Sequence, residues 1–121
     1  MPFLVVNTAK ASEIDDAFDN VRDEAKSGVS FLRDKLNDNE FGDVFEFTKT
    51  YDIVLRKVKM GKARKLIDDK TATEKANAIT WDLIGINRNV RPGQENRAEA
   101  LKYVDELERD VQTFLELRPK S

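Results

Sequence analysis

The chain contains no cysteine and no histidine. Those two absences exclude most of the common catalytic chemistry. Cys–His and Ser–His catalysis cannot be assembled. Zinc sites built on Cys or His ligands are excluded, as are di-iron sites of the Glu-x-x-His kind. Disulfides are impossible, which makes an intracellular (cytoplasmic) or particle-bound protein the expectation. Glycine and proline are also scarce, at five and three residues, and two of the prolines (Pro2, Pro119) lie near the ends. Long irregular loops are therefore not expected. No apolar run approaches the ~18 residues of a membrane-spanning helix. Phe3 to Val6 is too short for a signal peptide and lacks a charged leader. A net charge of −2 gives no global pull toward nucleic acid or membrane.

What the chain has is charge and helical periodicity. It is 121 residues long, enough for one core, and charged residues make up 36%. That exceeds the roughly 25% of an average domain and suits the outer faces of helices. Ile14, Phe18, Val21, Ala25, Gly28, Leu32 and Leu36 form one helical stripe, with Ser12 as its expected N-cap. Gly28 on that stripe invites close approach by another helix. Residues 1–8 are read as a possible N-terminal arm or short strand. Thr71 to Glu74 fits a capping box ahead of a stripe at Ala72, Ala76, Ile79, Leu83 and Ile86. Pro92 and Gly93 mark the expected start of the last helix, whose stripe is Ala100, Val104, Leu107, Val111 and Leu115. The fold expected is all-α: one four-helix, bundle-like domain over 1–121.

Residues 42–60 are ambiguous. Val44, Phe47, Tyr51, Val54 and Val58 have helical spacing, but the segment is rich in β-branched and aromatic residues. It is read as helix, with a short β-hairpin or extended loop as the alternative. The opposite side carries Phe45, Ile53 and Met60. Together with Trp81, which lies about 180° from its own helix's stripe, these are the candidate interface residues. Four helices offer more apolar faces than one core consumes, and self-association into a homo-oligomer or larger assembly would cover the excess.

Two charged groups complete the candidates. Arg56, Lys57, Lys59, Lys62, Arg64 and Lys65 form a basic run able to contact phosphates or an acidic partner. Asp15, Asp16, Asp19, Glu40 and Asp43 are the carboxylates that could hold a metal ion. Their spacing, with Asn39-Glu40-Phe41-Gly42-Asp43-Val44, resembles the metal-binding helices of the all-α nucleoside triphosphate pyrophosphatases, departing from them by using Asp throughout the first motif. That resemblance implies a Mg²⁺-dependent enzyme. On a helical wheel, however, Asp15, Asp16 and Asp19 fall at about 100°, 200° and 140° from Ile14 and face away from the core stripe. A capped, solvated helix face explains them as well. No nucleophile–base pair is found, and no phosphate-binding glycine loop. No catalytic residue, cofactor or metal is therefore expected in the leading reading.

A second resemblance covers mainly the C-terminal half. Ala76-x-x-Ile79-x-Trp81-Asp82-Leu83-Ile84, then Pro92-Gly93-Gln94-Glu95-Asn96-Arg97-Ala98-Glu99-Ala100-Leu101-Lys102-Tyr103-Val104, resembles the closing helix pair of small head-completion or neck-adaptor proteins of tailed phages. It implies a non-catalytic head–tail connector acting as a ring of identical subunits, with virion location. The expected function is thus structural. A metal-dependent pyrophosphatase and a small nucleic-acid-binding helical protein are the alternatives.

Overall fold

The computed structural model describes residues 2–120, and side chains from residue 11 onward. It is all-α. Helix α1 (Pro2–Asn37) is followed by α2 (Phe41–Asp52), a π-helical segment (Ile53–Met60), α3 (Gly61–Lys65), α4 (Ala72–Arg88) and α5 (Arg97–Leu115). Because α2, the π segment and α3 run on without a break, they form one rod, giving four helical rods among the described residues. The α1 rod packs on α5 and on the middle rod, and α4 packs on the same two. This closes a bundle with its core in the centre. The stripes found in the sequence supply that core: Phe18, Leu32, Leu36, Ile79, Ile86, Leu107 and Phe114 are fully buried. Phe18 and Phe114 stack with ring centroids 5.6 Å apart.

Several local expectations are corrected. Residues 2–8 continue α1 and form no strand. Ser12 therefore lies inside a helix and caps nothing. No strand or hairpin occurs among the described residues, so 42–60 is helical throughout. Thr71 stands at the N-cap of α4 but caps no amide. Its own N–H and hydroxyl donate instead to Asp69 Oδ1, at 2.8 and 2.6 Å, in an Asx turn. Helix α5 begins after Asn96, whose side chain accepts from the Glu99 amide at 3.1 Å. Pro92 and Gly93 belong to the preceding loop, where Gly93 takes φ 83°.

The largest correction concerns the phase of the middle rod. The α-helical spacing predicts a buried stripe through Val54 and Val58, yet both are exposed. The buried positions are Val44, Thr48, Tyr51, Leu55, Met60, Gly61 and Ala63. The step from Leu55 to Met60 is five residues. It matches the i→i+5 bonding of a π-helix, seen in the Gly61 amide reaching the Arg56 carbonyl. The wider turn rotates the rod, bringing Met60 in and leaving Val58 out.

Candidate functional surfaces and a buried carboxylate cluster

The four expected interface residues separate. Trp81 is 70% exposed on the outer face of α4, and Ile53 is 53% exposed at the start of the π segment. Phe45 is half-buried against the core, with the Lys49 ammonium 4.4 Å above its ring. Met60 has no exposure and is core, removed from any interface by the π turn. The exposed apolar surface of the rod is instead Ile53, Val54 and Val58, with Lys57 between them. Periodicity at 3.6 residues found Ile53 but assigned Val54 and Val58 to the buried stripe, because it assumed one helix type.

Position on α4 is set by polar bonds along one flank. The Thr80 hydroxyl donates to Asp52 Oδ1 at 2.6 Å. Asn87 Nδ2 donates to Thr48 Oγ1 at 3.0 Å, and Arg64 to Thr73 Oγ1 at 2.9 Å. Thr73, Thr80 and Asn87 are seven residues apart, so they share one helix face. Trp81 and Ile53 each follow a residue of the Thr80–Asp52 contact.

The basic run is divided. Arg56 donates to Asp52 through both Nε and Nη2, the shortest contact being 2.6 Å. This holds the Asp52 carboxyl below the usual range. Arg64 is turned toward Thr73. Lys57, Lys59, Lys62 and Lys65 form no ion pair with the described residues. They remain a basic edge on the π segment and α3.

The acidic candidates do not converge. Asp15 and Asp19 pair with Arg118, which follows α5, and Asp19 also pairs with Arg22. Arg118 holds the Asp19 carboxyl down. Glu40 and Asp43 instead bind the Lys35 ammonium, at 2.8 and 3.1 Å. Asp19 and Lys35 are sixteen residues apart on α1, about 24 Å along its axis. Asp16 is exposed. The five carboxylates thus belong to opposite parts of α1, and the paired site of the pyrophosphatase reading is not formed.

A different acidic group does converge. One carboxylate oxygen each from Asp82 on α4 and from Glu106 and Asp110 on α5 lie within 4.8 Å of one another. Asp82 is only 7% exposed, and its Oδ2 is buried with no hydrogen-bond partner among the described residues. Burial, then the neighbouring Asp110 and Glu106, push the Asp82 carboxyl up to about 8. Arg109 opposes this and donates to Glu106 Oε1. The sequence held a signal that passed unread. Asp82 sits between core residues Ile79, Leu83 and Ile86, about 60° from Ile79 on the wheel. Glu106 and Asp110 are spaced to share one face of α5.

No protein-family model, curated protein or solved structure matches the chain. No helix among the described residues is long and apolar enough to cross a membrane.

Proposed function

We propose that this protein is a non-catalytic assembly component that acts through protein–protein contacts, with further copies of itself as its first partner. The observation that carries the reading is Trp81. A tryptophan 70% exposed on the outer face of a well-packed helix adds nothing to the monomer's core. Tryptophan is enriched as an anchor in subunit contacts. Ile53, Val54 and Val58 offer a second apolar face. The more specific reading, a phage head–tail adaptor, is supported by the sequence resemblance of the α4–α5 helix pair. Sedimentation of the full chain across a wide concentration range tests self-association. Wild type should associate, and Trp81→Glu should remain monomeric with unchanged helical content. A chain that stays monomeric throughout, with a Trp81 emission spectrum independent of concentration, would overturn the self-association reading.

A second reading has a specific observation in its favour. Lys57, Lys59, Lys62 and Lys65 form a basic edge without carboxylate partners among the described residues. Such an edge can bind phosphates without reading sequence. Nucleic-acid binding would then weaken steeply with salt. Binding that is absent at low salt removes this reading.

A further inference from the structure

Asp82, Glu106 and Asp110 bring three carboxylates together where two antiparallel helices touch. Packing alone would not place them there. A buried carboxylate oxygen without a donor is costly, and an apolar residue at position 82 would avoid the cost. Asp82 Oδ2 is such an oxygen: its residue is more than nine-tenths buried, and the side chain reaches the two α5 carboxylates. Such an arrangement calls for something positive between the helices, either a proton shared with Asp110 or a cation. Arg109 does not supply it. Its guanidinium binds Glu106 Oε1 on the exposed side and leaves Asp82 Oδ2 unsatisfied.

We propose that Asp82, Glu106 and Asp110 form a site for a divalent cation of the calcium class, clamped between α4 and α5. The donor set is all oxygen, which selects a hard cation over zinc or copper. Ligands bound about 2.3–2.6 Å from one Ca²⁺ ion lie at most about 5.2 Å apart. Three oxygens within 4.8 Å of each other can therefore share one Ca²⁺ ion with at most a few tenths of an ångström of closure. Mg²⁺ keeps most of its water shell and is usually held by one or two carboxylates, so a cluster of three suits Ca²⁺ better. With all three carboxylates ionised, they and one guanidinium sum to −2, which a divalent ion neutralises as it displaces the Asp82 proton. Glu106 is exposed and Asp110 half-buried, so the site opens to solvent on the α5 side. Water can enter there to complete the shell. The competing arrangement is a proton shared between Asp82 and Asp110, which would satisfy the same oxygen without metal.

The test uses the full chain, stripped with EDTA and titrated with CaCl₂ and, separately, MgCl₂. Calorimetry reads stoichiometry, and thermal denaturation reads linkage. One Ca²⁺ per chain is expected, with Tm raised by about 4–8 °C near saturation and a smaller response to Mg²⁺. Asp82→Asn should abolish the Ca²⁺ response while melting at least as high as metal-free wild type, because the neutral amide replaces a carboxyl that must hold a proton to stay buried. Asp110→Asn, at a half-buried position, provides a second variant with the same expected loss. Arg109→Gln should strengthen binding by releasing Glu106. A silent titration at about 10 mM Ca²⁺, well above the weakest dedicated protein sites, would leave the shared proton as the explanation and overturn the proposal. A Ca²⁺ response unchanged in Asp82→Asn would place the ion elsewhere and overturn it too.

Discussion

The Tyr51 ring lies directly against Gly28. A Cβ placed on Gly28 would stand 2.1 Å from Tyr51 Oη and 2.4 Å from Cζ. The hydroxyl passes over the glycine to donate to the Glu24 carbonyl at 2.8 Å and meets Glu24 Oε2 at 3.1 Å. Phe47 stacks on the same ring, with centroids 4.3 Å apart. The contact joins α1 to the middle rod. Gly28→Ala should therefore destabilise the fold by about 1–3 kcal/mol, despite alanine's better helix propensity. Denaturant unfolding measures this. Tyr51→Phe should cost less, about 0.5–1.5 kcal/mol. In the Gly28→Ala/Tyr51→Leu double variant the penalties should be clearly less than additive.

The phase of the middle rod can be read by alanine substitution. Met60→Ala should cost about 2–5 kcal/mol, because a fully buried side chain is removed. Val58→Ala should change stability by no more than about 0.5 kcal/mol, since Val58 is 56% exposed. Equal losses at both positions would refute the π-helical phase.

Asp52 joins two rods by accepting from both Arg56 and Thr80. Asp52→Asn should cost about 1–3 kcal/mol at neutral pH. The folded state holds this carboxyl below its ordinary value, chiefly through Arg56. Its stabilisation is thus present above about pH 4 and lost as pH falls through the lower folded value. Wild type and Asp52→Asn should converge in acid, which unfolding curves from pH 7 to pH 2 would show.

Asp82 has the opposite sign. In metal-free protein its carboxyl stands at about 8, against an ordinary value of 3.8. Between those values the folded chain binds a proton that the unfolded chain has lost. Stability should therefore fall as pH rises from about 4 to 8, by at most about 1.4 kcal/mol per pH unit from this group. The groups facing it are Asp110, Glu106 and Arg109. Asp82→Asn should flatten that slope when Tm is followed against pH in EDTA.

The helices were legible because Phe18, Leu32, Ile79 and Leu107 recur at the helical period, and that period is a property of local geometry. The close approach at Gly28 was legible for the same reason. Met60 was not, because its burial depends on a change of helix type that no residue announces. The acidic run of α1 misled in a different way. Asp19 and Asp43 look like neighbours in spacing, but Arg118 and Lys35 neutralise them separately. Arg118 lies ninety-nine residues from Asp19, a contact that only the folded chain creates. The Asp82 cluster likewise needs α4 and α5 side by side. Of the expected surface residues, Trp81 and Ile53 are exposed as their wheel positions indicated.

The π segment leaves the middle rod with two apolar stripes. Tyr51, Leu55 and Met60 form the one the core consumes, while Val54 and Val58 continue the 3.6-residue stripe that faces out. In an unbroken α-helix the five residues from Leu55 to Met60 would overshoot a full turn by about 140°; deleting one of them would restore α-helical bonding and keep Met60 on the face of Leu55. The wide turn therefore acts as a gear. It sets which side chains α3 carries toward the bundle, by absorbing the one residue that an α-helical turn would pass on as rotation.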